Sequence, residues 1–381
     1  MSELQSGLRA FLVDAASPDR VRRDDEEHNP PLDLLRELGR LGYLCVGIPA
    51  EYGGAGGMLE MVEVMEELGR HYLGLGQLAG RVMYAEQLLV TLGRADQKDR
   101  WLPGLAAGDV IFSISFTEPD AGSDLSALRT RATPVEGGFV VNGQKVFSSS
   151  FGYADVALLL ARTEPHSSGR DGLTAFLIDP RGPGIETRAL TTLGDWTNRT
   201  YEVFYTDVAV PAANVLGEIG TGWAVARRHL ARERLMMAAR AIGATAAVLE
   251  QTADFVTTRS QFGHPLAQFQ VVRHKLADIS IELLMARAGL YEVARRAADG
   301  DGAPDAARVK IYASELYARA STTALQLHGG AGYTRDLPLQ RHVRDAPMYV
   351  IGGGSAEVLR DVVSRDLLRS RSAPPRRTQP D

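Results

Sequence analysis

The sequence holds a single cysteine, Cys45, among 381 residues. One thiol excludes an internal disulfide framework and a cysteine-rich metal site, and points to a reducing compartment, the cytoplasm. Positive charge is not in excess: 42 Lys and Arg face 47 Asp and Glu, for a net charge of −5. A broad basic surface that could neutralise phosphates is therefore absent, which argues against nucleic acid as the main partner. No run approaches the roughly 18 uninterrupted apolar residues of a membrane span. The opening MSELQSGLRAFLVDAAS has neither the basic flank nor the apolar stretch of a secretory signal. Catalytic signatures are missing as well. There is no Gly-x-Ser-x-Gly, no His-Glu-x-x-His and no Gly-x-x-x-x-Gly-Lys-[Ser/Thr]. The nearest approach to a dinucleotide fingerprint, Gly74-Leu75-Gly76 with Gly80, has the wrong spacing and helical surroundings. The eight histidines lack metal-ligand spacing, and single ones such as His229 and His274 read as packing or surface residues.

What is present is a chain in three parts, 45% hydrophobic and long enough to bury a sizeable core. Residues 1–110 read as a helical domain. Leu32, Leu35 and Leu38 share a stripe, MLEMVEVMEELGRHY repeats the spacing, and EYGGAGG separates the two. Residues 111–220 read as a β domain built from VIFSISF, GFVVNGQKVF, VALLLA, LTAFLI and YEVFYTDVAV, with Asn142-Gly143 predicting a hairpin turn. Residues 221–368 return to helix, in segments beginning near Trp223, Phe269, Asp305 and Ser355, and 369–381 read as a solvated, disordered tail. Helices, then strands, then helices is an α+β arrangement, not alternating βαβ units.

Four loops could face a ligand. Thr117-Glu118-Pro119-Asp120-Ala121-Gly122-Ser123-Asp124 ends a strand with small and hydroxylated residues, and equally reads as an ordinary turn capped by Asp124. Gln326-Leu327-His328-Gly329-Gly330-Ala331-Gly332-Tyr333 reads as a close backbone approach or as a helix C-cap. Ile351-Gly352-Gly353-Gly354-Ser355 precedes the last helix, whose N–H groups favour an anion. Arg259-Ser260-Gln261-Phe262-Gly263 sets a cation beside an aromatic ring, although Arg259 also fits a surface charge.

Periodicity singles out one carboxylate. On a regular helix from Trp223, the residues Trp223, Ala226, Leu230, Glu233, Met237 and Ala241 share a face, so Glu233 falls inside an apolar stripe. Burial disfavours the charged form and raises the pKa, which makes a carboxylate a competent base toward a weakly acidic C–H. The competing reading is a buried ion pair with Arg227, Arg234 or an arginine from another segment.

In order and spacing these segments resemble the acyl-CoA dehydrogenase family from about Pro31 to Leu368. FTEPDAGSDL at 116–125 and QLHGGAGYTRDLPLQRHVRDA at 326–346 look like its two signatures. The resemblance implies an N-terminal helical domain, a central β domain and a C-terminal four-helix bundle, with FAD as cofactor. Phe116, Thr117 and Ser123 are then expected to contact flavin or thioester. Phe147 and Ser149 stand where the family usually has a tryptophan and a threonine flanking the flavin ring. Arg259, Phe262, Gln270, Gln326 and Gly330 match positions that hold the FAD pyrophosphate and adenosine, partly across a subunit interface, and Ser355 and Glu357 match a further contact. A homotetramer, a dimer of dimers, is implied, as is an electron-transfer flavoprotein as partner.

The chain departs from the commonest pattern at Gly353, where many members carry the catalytic glutamate. In the branch similar to isovaleryl-CoA and long-chain dehydrogenases the base sits on the bundle helix, which again selects Glu233. The expected reaction is α,β-desaturation of an acyl thioester, carried by coenzyme A or by a carrier protein. Arg234, Gly352, Gly353 and Ser123 are expected at the substrate, and Gly352 and Gly353 suggest a pocket wide enough for a branched or bulky acyl group. The alternatives are a flavin monooxygenase or N-hydroxylase on the same fold, which needs no α-proton base, and a catalytically silent flavin-binding subunit.

Overall fold

A computed structural model describes residues 2–164, 167, 169–296 and 303–372. Helix begins earlier than the apolar periodicity suggests. Ser2 Oγ accepts the Gln5 backbone N–H while the Gln5 side chain accepts from Ser2, a capping box that starts α1 (Glu3–Ala15). Ser17 followed by Pro18 starts α2 (Pro18–Glu26) in the same spirit. Both signals lay in the sequence, ahead of the stretch with helical spacing. They are followed by α3 (Leu32–Arg40), α4 (Met58–His71), α5 (Leu73–Leu92) and α6 (Ala95–Ala106).

Helix gives way to strand after Ala106. The β region comprises β1 (Phe112–Ser115), β2 (Arg131–Val135), β3 (Gly138–Ser149), β4 (Val156–Arg162), β5 (Leu173–Ile178), β6 (Ile185–Ala189), β7 (Thr200–Pro211) and β8 (Val215–Leu216). Their order is β6-β7-β3-β2-β4-β5-β8, with β1 parallel to β4. Phe139, Val141, Leu159, Phe176 and Val203 fill its core. The hairpin expected at Asn142-Gly143 does not form. The chain turns instead at Glu136 and Gly137, and β3 runs straight through Asn142 with a shift of register between Val141 and Gly143. The reason lies across the strand: Asn142 exchanges hydrogen bonds with the Asp207 backbone and side chain, which holds a bulge in place of a turn.

The C-terminal helices are α7 (Gly222–Thr258), α8 (Gln270–Arg296), α9 (Ala303–His328), α10 (Leu339–Ile351) and α11 (Ala356–Ser372), with a short ribbon of β9 (Ser260–Gln261) and β10 (His264–Pro265) after α7. The second signature segment spans the end of α9, a short 3-10 helix (Gly329–Tyr333) and the start of α10. α11 continues through Ser372, past the point where a tail was expected, and residues 373–381 lie outside those described. No helix among the described residues is long and apolar enough to cross a membrane.

α7 ties the regions together. Where it crosses α4 the two backbones touch: a Cβ on Gly243 would fall on the Glu66 carbonyl and lie 2.8 Å from the Arg70 nitrogen, and a Cβ on Gly69 would strike the Arg240 backbone. Arg70 and Glu250 close the crossing with an ion pair at 2.5 Å. A second link is polar and buried. Arg81 of α5 donates to Ser150 Oγ and Asn198 Oδ1, both at 3.0 Å, and Asn198 donates back to the Gly74 carbonyl. Gly243→Val is expected to lower unfolding stability by about 1–3 kcal/mol through overpacking. Urea denaturation measures it, and an unchanged midpoint would contradict backbone contact at the crossing.

Candidate active site

Glu233 lies in the N-terminal half of α7, where the β region and helix α5 converge. Its side chain is 22% exposed, and Oε2 stands 3.3 Å from Nε2 of His229, one turn back. The buried His229 ring is held edge-on by Tyr84 of α5 at 5.0 Å and by Phe116, just past β1, at 5.8 Å. Its Nδ1 is buried without a partner, which favours the tautomer that donates Nε2–H to the carboxylate. By sequence His229 reads as a packing or surface residue and an arginine as the partner of Glu233; the structure gives that place to His229, at the four-residue spacing that was visible in the sequence. The expected upward shift of Glu233 is also corrected. Burial pushes its carboxyl up, but His229, then Arg240 and Arg234, offset this, and the net direction is below the ordinary glutamate range.

The glycine loop between α10 and α11 forms the opposite wall. Gly353 takes the left-handed backbone, φ 64°, that a side chain disfavours. Arg234 Nε donates to the Gly353 carbonyl at 3.1 Å, and the buried Lys310 Nζ donates to the carbonyls of Gly354 at 2.9 Å and Val350 at 3.3 Å. Burial holds the Lys310 ammonium down at about 8, with Glu233 pulling the other way. Lys310 was not anticipated, since a lysine on an amphipathic helix reads as a solvated one. A Cβ on Gly353 would lie 2.8 Å from Met237 Sδ and 4.0 Å from the Glu233 carboxyl carbon, and one on Gly352 would lie 3.3 Å from Met348 Sδ. The two glycines therefore do not widen the site as expected, because Met237 and Met348 occupy the room they leave.

On the β side, the first signature loop is clamped from within. Lys145, fully buried on β3, donates to the Phe116 carbonyl at 2.8 Å and pairs with Glu118 at 2.9 Å, while Glu118 also accepts the backbone N–H groups of Arg129 and Thr130. Burial lowers the Lys145 ammonium to about 8 against the pull of Glu118. The Val146 N–H donates to the Thr117 carbonyl, and next to it Phe147 is held at φ 59° with its ring 64% exposed. Ser149 Oγ lies 2.9 Å from Thr200 Oγ1. Phe147, Thr117, Phe116, His229, Glu233 and Gly353 thus follow one another across a single junction, with Arg234 behind it. Ser123 is exposed farther along the loop. Ser355 Oγ accepts the Val358 N–H at the start of α11, and Glu357 is exposed beside it.

The remaining residues assemble elsewhere. Arg259, Phe262 (91% exposed), Gln270, Gln326 and Gly330 are exposed at the other end of α7, where Phe255 stacks on His328 of α9 at 4.1 Å. Along α7 this group stands about 39 Å from Glu233, at roughly 1.5 Å per residue. One chain does not bring both groups to one ligand.

Residues 2–109, 113–208 and 220–368 match the profiles of the acyl-CoA dehydrogenase N-terminal, middle and C-terminal domains. The chain is 34% identical to isovaleryl-CoA dehydrogenase of Pongo abelii over 371 residues, 95% of this chain and 87% of the relative. Its fold superposes on butyryl-CoA dehydrogenase of Megasphaera elsdenii with a TM-score of 0.91 at 31% identity, covering 97% of this chain and 99% of that one. A structure of PigA with FAD superposes with a TM-score of 0.90 at 27% identity, covering 96% and 98%.

Glu118→Gln leaves the Lys145 ammonium buried without its anion. A loss of about 3–5 kcal/mol in denaturant unfolding is expected, much of it recovered in the Glu118→Gln, Lys145→Met double variant. Equal instability of single and double variants would show that the pair acts only through packing.

Proposed function

The chain belongs to the acyl-CoA dehydrogenase family, an oxidoreductase with FAD as cofactor, and from this premise we propose that it desaturates an acyl thioester between its α and β carbons with Glu233 as base. The observation that carries this is the Glu233 carboxylate, set across from the Gly353 loop at the junction of sheet and bundle. The junction suits a flat ring: an exposed aromatic, Phe147, is fixed in left-handed backbone beside the hydroxyls of Ser149 and Thr200. Phe116, Thr117, Ser123, Phe147, Ser149, Ser355 and Glu357 would hold FAD from this chain. FAD, when bound, supplies the acceptor for the β-hydride.

The rest is the work of the chain's own side chains. Glu233, ionised and steadied by His229, takes the α-proton. The Gly353 N–H, aimed by Arg234 and Lys310 through the carbonyls of the same loop, would receive the thioester oxygen as negative charge develops on it. Arg259, Phe262, Gln270, Gln326 and Gly330 would reach the cofactor of a second subunit, because their own Glu233 is too far away. The solvent-facing Val271, Ile281, Leu284 and Met285 of α8 offer apolar surface for such an assembly, a dimer of dimers. The thioester carrier would be coenzyme A or a carrier protein, with an electron-transfer flavoprotein as acceptor in the cytoplasm. A monooxygenase on this fold, or a silent flavin-binding subunit, has no use for a carboxylate so placed.

Anaerobic mixing of the FAD-loaded protein with acyl-CoA thioesters is expected to bleach the flavin, and Glu233→Gln to slow bleaching by about 10²–10⁴-fold while FAD is retained. Bleaching by the variant at the wild-type rate would remove Glu233 from the mechanism; oxygen consumption without thioester oxidation would favour the monooxygenase. Because Glu233 is depressed in the free protein, kcat/KM should stay flat through neutral pH. It should fall only as acid protonates the base below the ordinary glutamate range. An acid limb centred near neutrality in the pH profile would contradict that.

A further inference from the structure

Away from Glu233, a cavity of about 310 Å³ lies between the N-terminal helices and the start of α10. That is the lower end of the range, roughly 300–1,000 Å³, of small-molecule sites. Val13, Ala16 and Val21, from α1, its C-cap and α2, give it an apolar side. Arg341 and Asp345 of α10 and Asp195, from the loop between β6 and β7, give it charged groups. No residue of the candidate active site lines it. The Gly353 loop follows the other end of α10, about 15 Å from Arg341 along the axis.

Arg341 is the unusual group. Asp345 stands four residues on, the spacing at which opposite charges on a helix ordinarily pair. Here they do not. Asp345 Oδ1 instead accepts the Asp195 backbone N–H at 2.7 Å, across to the β region. Asp25, the other carboxylate whose charge Arg341 senses, is taken by Arg344 at 2.6 Å, and that guanidinium lies over the Trp196 ring at 3.7 Å. Arg341 is left half-buried, with no ion pair or side-chain hydrogen bond among the described residues. The carboxyls that share the cavity are incompletely used too. Asp195, held at φ 57°, accepts from Asn198 Nδ2 through Oδ1 at 3.0 Å, and one oxygen of each carboxyl has no partner among the described residues. Burial pushes Asp195 up to about 7 and Asp345 to about 6. An unpaired guanidinium and two half-satisfied carboxyls are each costly to desolvate, and one ligand carrying both charges satisfies them together.

We propose that this cavity is a binding site for a small amino-acid zwitterion, with the ligand carboxylate on Arg341 and its ammonium on Asp195 and Asp345. A ligand with one charge is disfavoured by the opposite end of the site: a bare carboxylate meets the two aspartates, and a bare amine meets Arg341. The side formed by Val13, Ala16 and Val21 takes an aliphatic side chain. The site stands apart from the role given to Glu233 and does not depend on it.

The test is titration calorimetry on the FAD-loaded protein with L-alanine and L-norleucine, and with hexanoate and pentylamine, which are norleucine without its amino or its carboxyl group. At least one amino acid should bind, and norleucine should bind about tenfold or more tightly than either single-charge analogue. Arg341→Met and Asp345→Asn should each weaken the amino acid about tenfold or more, and Glu233→Gln should leave it unchanged. Retention of FAD shows that each variant is folded. Should Arg341→Met not retain it, Arg341→Lys, which keeps the charge but loses the planar fork, takes its place with a smaller loss expected. No heat from either amino acid at about 10 mM would overturn the proposal. Hexanoate or pentylamine binding as tightly as norleucine would overturn it as well, by showing a site for one charge. Amino-acid binding that survives both cavity variants, or is lost in Glu233→Gln, would place the ligand elsewhere and overturn it too.

Discussion

Everything at the junction depends on two helices being allowed to touch. At Gly69 and Gly243 the backbones of α4 and α7 meet with no side chain between them, closer than ordinary helix packing, which keeps axes roughly 8–10 Å apart or more when larger residues intervene. That contact docks the N-terminal helices on the C-terminal ones. It also fixes the height of α7 relative to α5, so that Glu233 is level with Tyr84 while Arg240 is level with Gly76 and Gly80. A shift by one turn would bring Met237 opposite Tyr84 and take the carboxylate away from the Phe116 and Gly353 walls.

Around this fixed helix, buried cations hold loops by their carbonyl oxygens. Lys145 pins Phe116 while paired with Glu118, Arg234 pins Gly353, and Lys310 pins Val350 and Gly354. Each such charge is costly to desolvate, and the cost is offset by charge-assisted hydrogen bonds that leave the loops little freedom. Rigidity is what a proton-transfer site requires, because a misplacement of about 1 Å from a distant change costs up to about 10²-fold in rate. Net charge at the site follows from the same placement. One carboxylate, Glu233, pairs with His229 and senses the charges of Arg240 and Arg234, which hold it below the ordinary glutamate range although it is mostly buried.

The length of α7 has a further consequence. A helix running from Gly222 to Thr258 carries the proposed substrate and cofactor residues at opposite ends, too far apart to serve one bound molecule. Under the proposed assignment, a second copy that turned its own junction toward the exposed Phe262 and Arg259 would complete both sites at once. An assembly in which each copy lends one end of α7 to its neighbour makes the exposed apolar face of α8 a place for contact.

Much of this was legible from residue order. The change from helical to two-residue periodicity near residue 110, and back near 220, determined the class of fold. The position of Glu233 among Trp223, Ala226, Leu230, Met237 and Ala241 isolated one carboxylate, because a helix repeats at a fixed interval and a charge on an apolar face is conspicuous. The glycines at 352–354 and the FTEPDAGSDL segment marked loops for the same local reason. What tertiary structure decided was every relation between distant residues. Asn142-Gly143 carries hairpin chemistry, yet Asp207 across the sheet turned it into a bulge. Burial alone would have raised the Glu233 pKa, yet His229, with Arg240 and Arg234, lowered it. Gly352 and Gly353 look like open space in one dimension, but Met237 and Met348 fill it in three. Arg240 reads as one more helical arginine until packing removes water from it and sets it against the Tyr349 hydroxyl and the Gly76 carbonyl. Periodicity is set by the backbone and is readable along the chain, whereas electrostatic environment and free volume are set by whichever segments fold against a residue.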